Sequence, residues 1–174
     1  MRELLIQNAL MVNEGKLSHK DLLVRDEKIA KISSHIKPTG SEELIDATGL
    51  HLLPGWIDEQ VHFREPGMTH KGSIASESRA AVAGGITSYF DMPNTQPQTI
   101  TSKALKEKLD IAARDSIANY GFLFGGTNDN FDEIKSFDTT QAAGLKLFLG
   151  SSTGNMLVDD EVVLEKIFSI TDLP

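Results

Sequence analysis

The alternation of apolar and polar positions changes rhythm near residue 50. Before it, "ELLIQNALMV" and "KDLLVRDEKIAKISSHI" are rich in aliphatic positions, and "NEGKLSH" and "KPTGSEE" interrupt them. Short apolar runs bounded by Gly, Pro and Asn predict strands. Within the second run, "RDEKIAKI" sets a polar turn between two apolar stretches, the pattern of a hairpin. No segment here has the length and period of a helix, so residues 1–52 are expected to form a small all-β module.

From residue 53 to 174 the pattern alternates between strand and helix. Strand-like "GWIDEQV", an apolar run expected to be buried, precedes Ala-rich "SIASESRAAVAGG", which Gly84-Gly85 closes as a C-cap. "ITSYFDM" is a second strand. It precedes "TSKALKEKLDIAARDSI", with Thr101 or Ser102 as N-cap and Leu105, Leu109 and Ala112 along one face. "YGFLFGG", a short helical "NFDEIKSF", "GLKLFLG" and a last helix in "DDEVVLEKIFSI" complete four β-α repeats. Strand starts at Trp56, Ile86, Tyr120 and Leu145 keep the pace of about 31 residues per unit that a (β/α)₈ barrel of roughly 250 residues sets. A doubly wound open sheet gives similar spacings, but no Gly-rich nucleotide fingerprint follows the first strand. Four units make half a barrel, so either the sheet is open or the chain is a fragment.

Composition narrows the chemistry. The 174 residues carry a formal charge of −8, which argues against nucleic acid and anionic membranes as partners. With no cysteine, disulfides and thiolate zinc sites are excluded, so a metal would need His, carboxylate or a modified side chain. The N-terminal apolar run is too short for a signal peptide and no stretch reaches the roughly 20 residues of a membrane span, so a cytoplasmic location is expected.

The unusual residues fall at strand ends. "HFREPG", "DMPNTQP", "GTNDN" and "GSSTGN" follow the four strands as βα loops, which share the face that carries active sites in barrels. His62 stands just after the first strand, as a structural histidine or a metal ligand. Asp58, four residues back, either closes the strand or orients that ring as an outer carboxylate. Gln60 shares a strand side with His62, where an amide is a poor zinc ligand. Lys146 interrupts an apolar strand. Its ammonium snorkels to the rim, or its neutral amine reacts with carbon dioxide to form a carbamate bridging two metals. Arg64 forms a surface salt bridge or forks onto a substrate carboxylate, and Asn94 shapes a turn or presents its amide to the same ligand.

Together "PGWIDEQVHFREPG", "THKGSIASESRAAVAGGITSYFDMPNTQP" and "GLKLFLGSSTGN" resemble the dihydroorotase branch of the amidohydrolase superfamily. The resemblance implies an α/β fold, the N-terminal part of a TIM-like (β/α)₈ metal-dependent hydrolase barrel in residues 53–174. Residues 1–52 would supply strands of a β-sandwich built from both chain ends. It implies reversible hydrolysis of the cyclic amide of dihydroorotate to carbamoyl aspartate in pyrimidine synthesis, with one or two zinc ions. His62 and carboxylated Lys146 would be metal ligands, and Arg64 and Asn94 would grip the substrate carboxylate. Gln60 departs from the pattern at the first metal histidine. The remaining metal histidines and the catalytic residue are expected beyond Pro174. A homo-oligomer is expected, and the pathway admits association with another pyrimidine enzyme. Allantoinase and dihydropyrimidinase are the enzymatic alternatives, and a catalytically silent scaffold, favoured by Gln60, is the third.

Overall fold

The computed structural model describes residues 3–151, 154–170 and 173–174. The chain divides into two units, Met1–Pro54 and Gly55–Pro174.

The first unit is a five-stranded sheet of order β3-β2-β1-β4, with β5 also paired to β1. Its strands are β1 (Glu3–Asn13), β2 (Lys16–Arg25), β3 (Lys28–Ser33), β4 (Glu43–Asp46) and β5 (His51–Leu52). β1, β2 and β3 are joined antiparallel by two-residue turns, Glu14-Gly15 and Asp26-Glu27. All four turn residues have positive φ, the geometry whose twist matches that of the flanking strands. The hairpin expected in "RDEKIAKI" is present. "KLSH", expected as part of a break, is strand instead: Lys16–His19 pairs with Asn13–Leu10, because the turn needs only two residues.

A register shift between Ile6 and Ala9 interrupts β1, where Asn8 has φ 64°. Buried Asp21 on β2 fills the irregularity. Its two oxygens accept the amides of Asn8 (2.9 Å) and Ile36 (2.8 Å), and the Gln7 amide lies 3.4 Å away. Leu5, Leu23 and Ile36 form the small core beside it.

The second unit is a wholly parallel four-stranded sheet of order β6-β7-β8-β9. In chain order it runs β6 (Trp56–Val61), α1 (Ile74–Ala83), β7 (Ile86–Asp91), α2 (Ser102–Asp115), β8 (Asn119–Gly125), α3 (Phe131–Ser136), β9 (Gly144–Lys146) and α4 (Glu161–Phe168). The four expected β-α repeats are therefore present, as an α/β sheet with one strand per unit. Phe63, Ile74, Tyr89, Leu105, Phe122, Phe124 and Ile167 are among the buried residues of its core. α1 starts at the Ser73–Ser76 capping box and α2 at the Thr101 cap, which satisfy helix-end amides. No helix among the described residues is long and apolar enough to cross a membrane.

Two expectations need correction. β6 is not a buried strand: it pairs with β7 alone, and Trp56 and Ile57 are 66% and 65% exposed. β9 ends at Lys146 rather than running through "LFLG", where a single Phe148–Leu157 bridge, with the Val158 amide donating to Phe148 O, is the strand-like pairing among the described residues. In "GSSTGN", Ser152 and Thr153 lie outside the described residues.

Candidate active site

The C-terminal ends of β6 and β7 are tied together strand to strand. The Met92 amide donates to Val61 O at 3.0 Å, and the Phe63 amide donates to Asp91 Oδ1 at 2.9 Å. Two loops then leave in parallel and meet again where the Gln96 amide donates to Pro66 O at 3.1 Å. At Gly67, with φ 82°, an added Cβ would stand 1.8 Å from Gln96 O, so the two loops approach closer than any side chain permits.

This clamp brings His62 and Asn94 together. The His62 Nδ1 lies 2.9 Å from Asn94 Oδ1 across a gap of 32 residues in sequence. An amide oxygen only accepts, so Nδ1 is the donor in this contact and Nε2 takes no part in it. Among the described residues the Asn94 NH₂ has no acceptor, which leaves it able to donate to a ligand. The partner expected for this ring, Asp58, is engaged differently: its Oδ1 accepts the Gln60 amide at 3.1 Å, closing the strand locally. His62 is oriented by an amide, not a carboxylate.

Arg64 is half-buried with φ 70°, and among the described residues its guanidinium has neither an ion pair nor a hydrogen bond. A half-buried, unpaired guanidinium is a ready receptor for a carboxylate. Asn94 also lines a cleft of about 520 Å³ between the loops after β6, β7 and β9, with Met68, Lys71, Gln98 and Asn155 on its other walls. Lys146, at the end of β9, is half-buried with its ammonium 5.2 Å from the centre of the Phe148 ring, a cation–π contact. Gln60 is exposed at the end of β6.

These donors do not by themselves fit zinc. An open catalytic zinc keeps three protein ligands. Here there is one imidazole, an exposed amide and an ammonium over a ring. Among the described residues no group of three or more His, Asp or Glu side chains is placed to hold a metal ion. One or two zinc ions would require donors that these residues do not supply.

The sequence reading passed over one buried pair. Lys108 on α2 and Asp91 at the end of β7 are both fully buried, with Nζ 2.7 Å from Oδ2. At 2.7 Å, and with both side chains out of water, that contact is a buried ion pair at hydrogen-bond distance. Lys108 also donates to Met92 O at 2.8 Å and lies over the Phe122 ring. Burial pushes its ammonium pKa down, and Asp91 opposes the shift. The signal was available: Lys108 lies on the same helical face as Leu105, Leu109 and Ala112.

Comparison with known proteins identifies the family of the chain. A sequence model of the Amidohydrolase family matches residues 51–154. A dihydroorotase of Methanosarcina acetivorans is 33% identical over 99% of this chain and 37% of its own length. An allantoinase of Desulfitobacterium hafniense is 37% identical over 84% of this chain and 32% of its own. Among solved structures, the L-hydantoinase (dihydropyrimidinase) of Arthrobacter aurescens superimposes with a TM-score of 0.88 at 30% identity, covering 97% of this chain and 38% of that one. The chain thus spans under two fifths of the length of these relatives.

Proposed function

The chain belongs to the amidohydrolase family, and from that premise we propose that it forms the substrate-gripping part of a dihydroorotase. That enzyme would interconvert dihydroorotate and carbamoyl aspartate. In the hydrolytic direction water adds to the ring carbonyl, the ring C–N bond breaks, and a carboxylate and a ureido group result. Arg64 binds the carboxylate that the substrate carries throughout, and Asn94 donates its NH₂ to the same group. His62, its Nδ1 donating to Asn94, offers Nε2 to the reaction centre. Were one or two zinc ions bound, His62 and a carboxylated Lys146 would be residues of this chain that hold them. The other donors and the general acid/base would come from chain outside these residues.

One observation carries the dihydroorotase reading: Arg64 is half-buried and unpaired among the described residues. Allantoin and dihydrouracil have no carboxylate for it. The test compares turnover of dihydroorotate, allantoin and dihydrouracil by the protein that carries this chain, unaltered and as Arg64→Met. Dihydroorotate is expected to be preferred, with its KM raised about tenfold to a hundredfold in the variant, the range of a charge-assisted contact. Faster turnover of an uncharged substrate, or an indifferent Arg64→Met, would sink the assignment.

Gln60 favours a second reading, a catalytically silent homologue that serves as scaffold or partner to another pyrimidine enzyme. Elemental analysis separates the two. Protein that keeps about one zinc or more per chain and turns over a cyclic amide excludes the silent form.

A further inference from the structure

We propose that Asp91 and Lys108 are a positioning pair: they hold the Phe63 amide and thereby set His62 and Arg64, its two neighbours in the chain. This rests on the role given to those neighbours above. Phe63 is itself buried, so its backbone turns His62 and Arg64 in a fixed direction only while its own N–H is anchored. Among the described residues that N–H has one acceptor, Asp91 Oδ1 at 2.9 Å. The other Asp91 oxygen faces Lys108, and Lys108 also binds Met92 O, two residues before Asn94. One ammonium on α2 thus fixes the start of both loops, and the His62–Asn94 contact spans what it fixes.

A packed core does not require such an arrangement, since replacing a buried ion pair with apolar residues of similar volume is often neutral for stability. The pair is explained by what it aims.

Two double variants separate aiming from packing. Asp91→Asn/Lys108→Met removes both charges and keeps an acceptor for the Phe63 amide. Asp91→Val/Lys108→Met removes the charges and the acceptor together. Both would be made in the protein that carries this chain, with melting temperature, KM for dihydroorotate and the ring NMR resonances of His62 measured on each. His62→Asn assigns those resonances.

The two variants are expected to melt within a few degrees of one another. The valine form is expected to have a KM about tenfold above the asparagine form, the worth of one hydrogen bond. Its His62 resonances should also move further from those of the unaltered protein than the resonances of the asparagine form do. Equal KM values together with unmoved His62 resonances would reduce the pair to packing. Should the unaltered protein hydrolyse no cyclic amide, the activity assigned above fails, and the His62 resonances still decide whether the pair aims that ring. If the valine form does not fold, Asp91→Ala/Lys108→Met deletes the same acceptor without adding volume.

Discussion

Asp21 shows how much one carboxylate can organise. Burial opposes its charge, but the amides of Asn8 and Ile36 and the Gln7 side chain outweigh that and hold its pKa below the ordinary value. A depressed acid stabilises the fold above its unfolded pKa and loses that contribution as pH falls through the folded one. Asp21→Asn would turn an NH₂ toward one of two backbone donors. It is expected to destabilise the fold by about 1–3 kcal/mol at neutral pH, read from urea unfolding, with a smaller penalty in acid. Tyr89 moves the other way. Burial pushes its phenol up to about 12, against the hydrogen bond it makes with Ser116. Its neutral form is favoured by folding, so its contribution is intact below pH ~10 and lost between pH ~10 and about 12. Tyr89 is expected to ionise late in an alkaline absorbance titration of the folded protein, and near pH ~10 in denaturant. The positions of His62, Arg64 and Asn94 just beyond the ends of β6 and β7 were legible from the strand pattern. The partner of His62 was not. Asp58 was nearer in sequence, and only the Val61–Met92 and Phe63–Asp91 contacts bring Asn94 across to the ring. Lys108 escaped notice because a lysine on a helix reads as solvated until its neighbours along the face are counted.

Whole elements were more legible than their ends. The helices announce themselves through caps at Ser73 and Thr101 and through apolar faces, and the first two hairpin turns through Gly15 and the polar pair Asp26-Glu27. Burial of β6 was misjudged because "GWIDEQV" is apolar enough for a core, whereas exposure depends on whether another strand lies beyond it. Thr101→Ala should cost about 1 kcal/mol, since the Ala104 amide loses its acceptor. Gly67→Ala has a different signature. It sets a methyl against Gln96 O at a positive φ and forces apart the two loops that carry His62 and Asn94. Its effect is expected on substrate affinity more than on melting temperature, and a calorimetric titration with dihydroorotate beside a thermal melt would read both.

At the scale of the molecule, two units of unlike construction follow one another, a mixed sheet and a wholly parallel one. The outer strand β6 presents Trp56 and Ile57 beside a backbone edge that no other strand among the described residues pairs, the feature through which sheets associate. Sedimentation of the 174-residue chain at micromolar concentration is expected to show dimers or larger species, and Ile57→Glu to shift them toward monomer. A monomer in both cases would contradict this. The order β6-β7-β8-β9 carries one more consequence, in time. Each strand of this sheet lies beside its immediate predecessor, so a chain leaving the ribosome N-terminus first presents every new strand with a neighbour already made. Pairing then closes only the loop of a single βα unit, which keeps the entropic barrier to each addition low. The sheet can grow at the pace of synthesis, in the order in which its message is read.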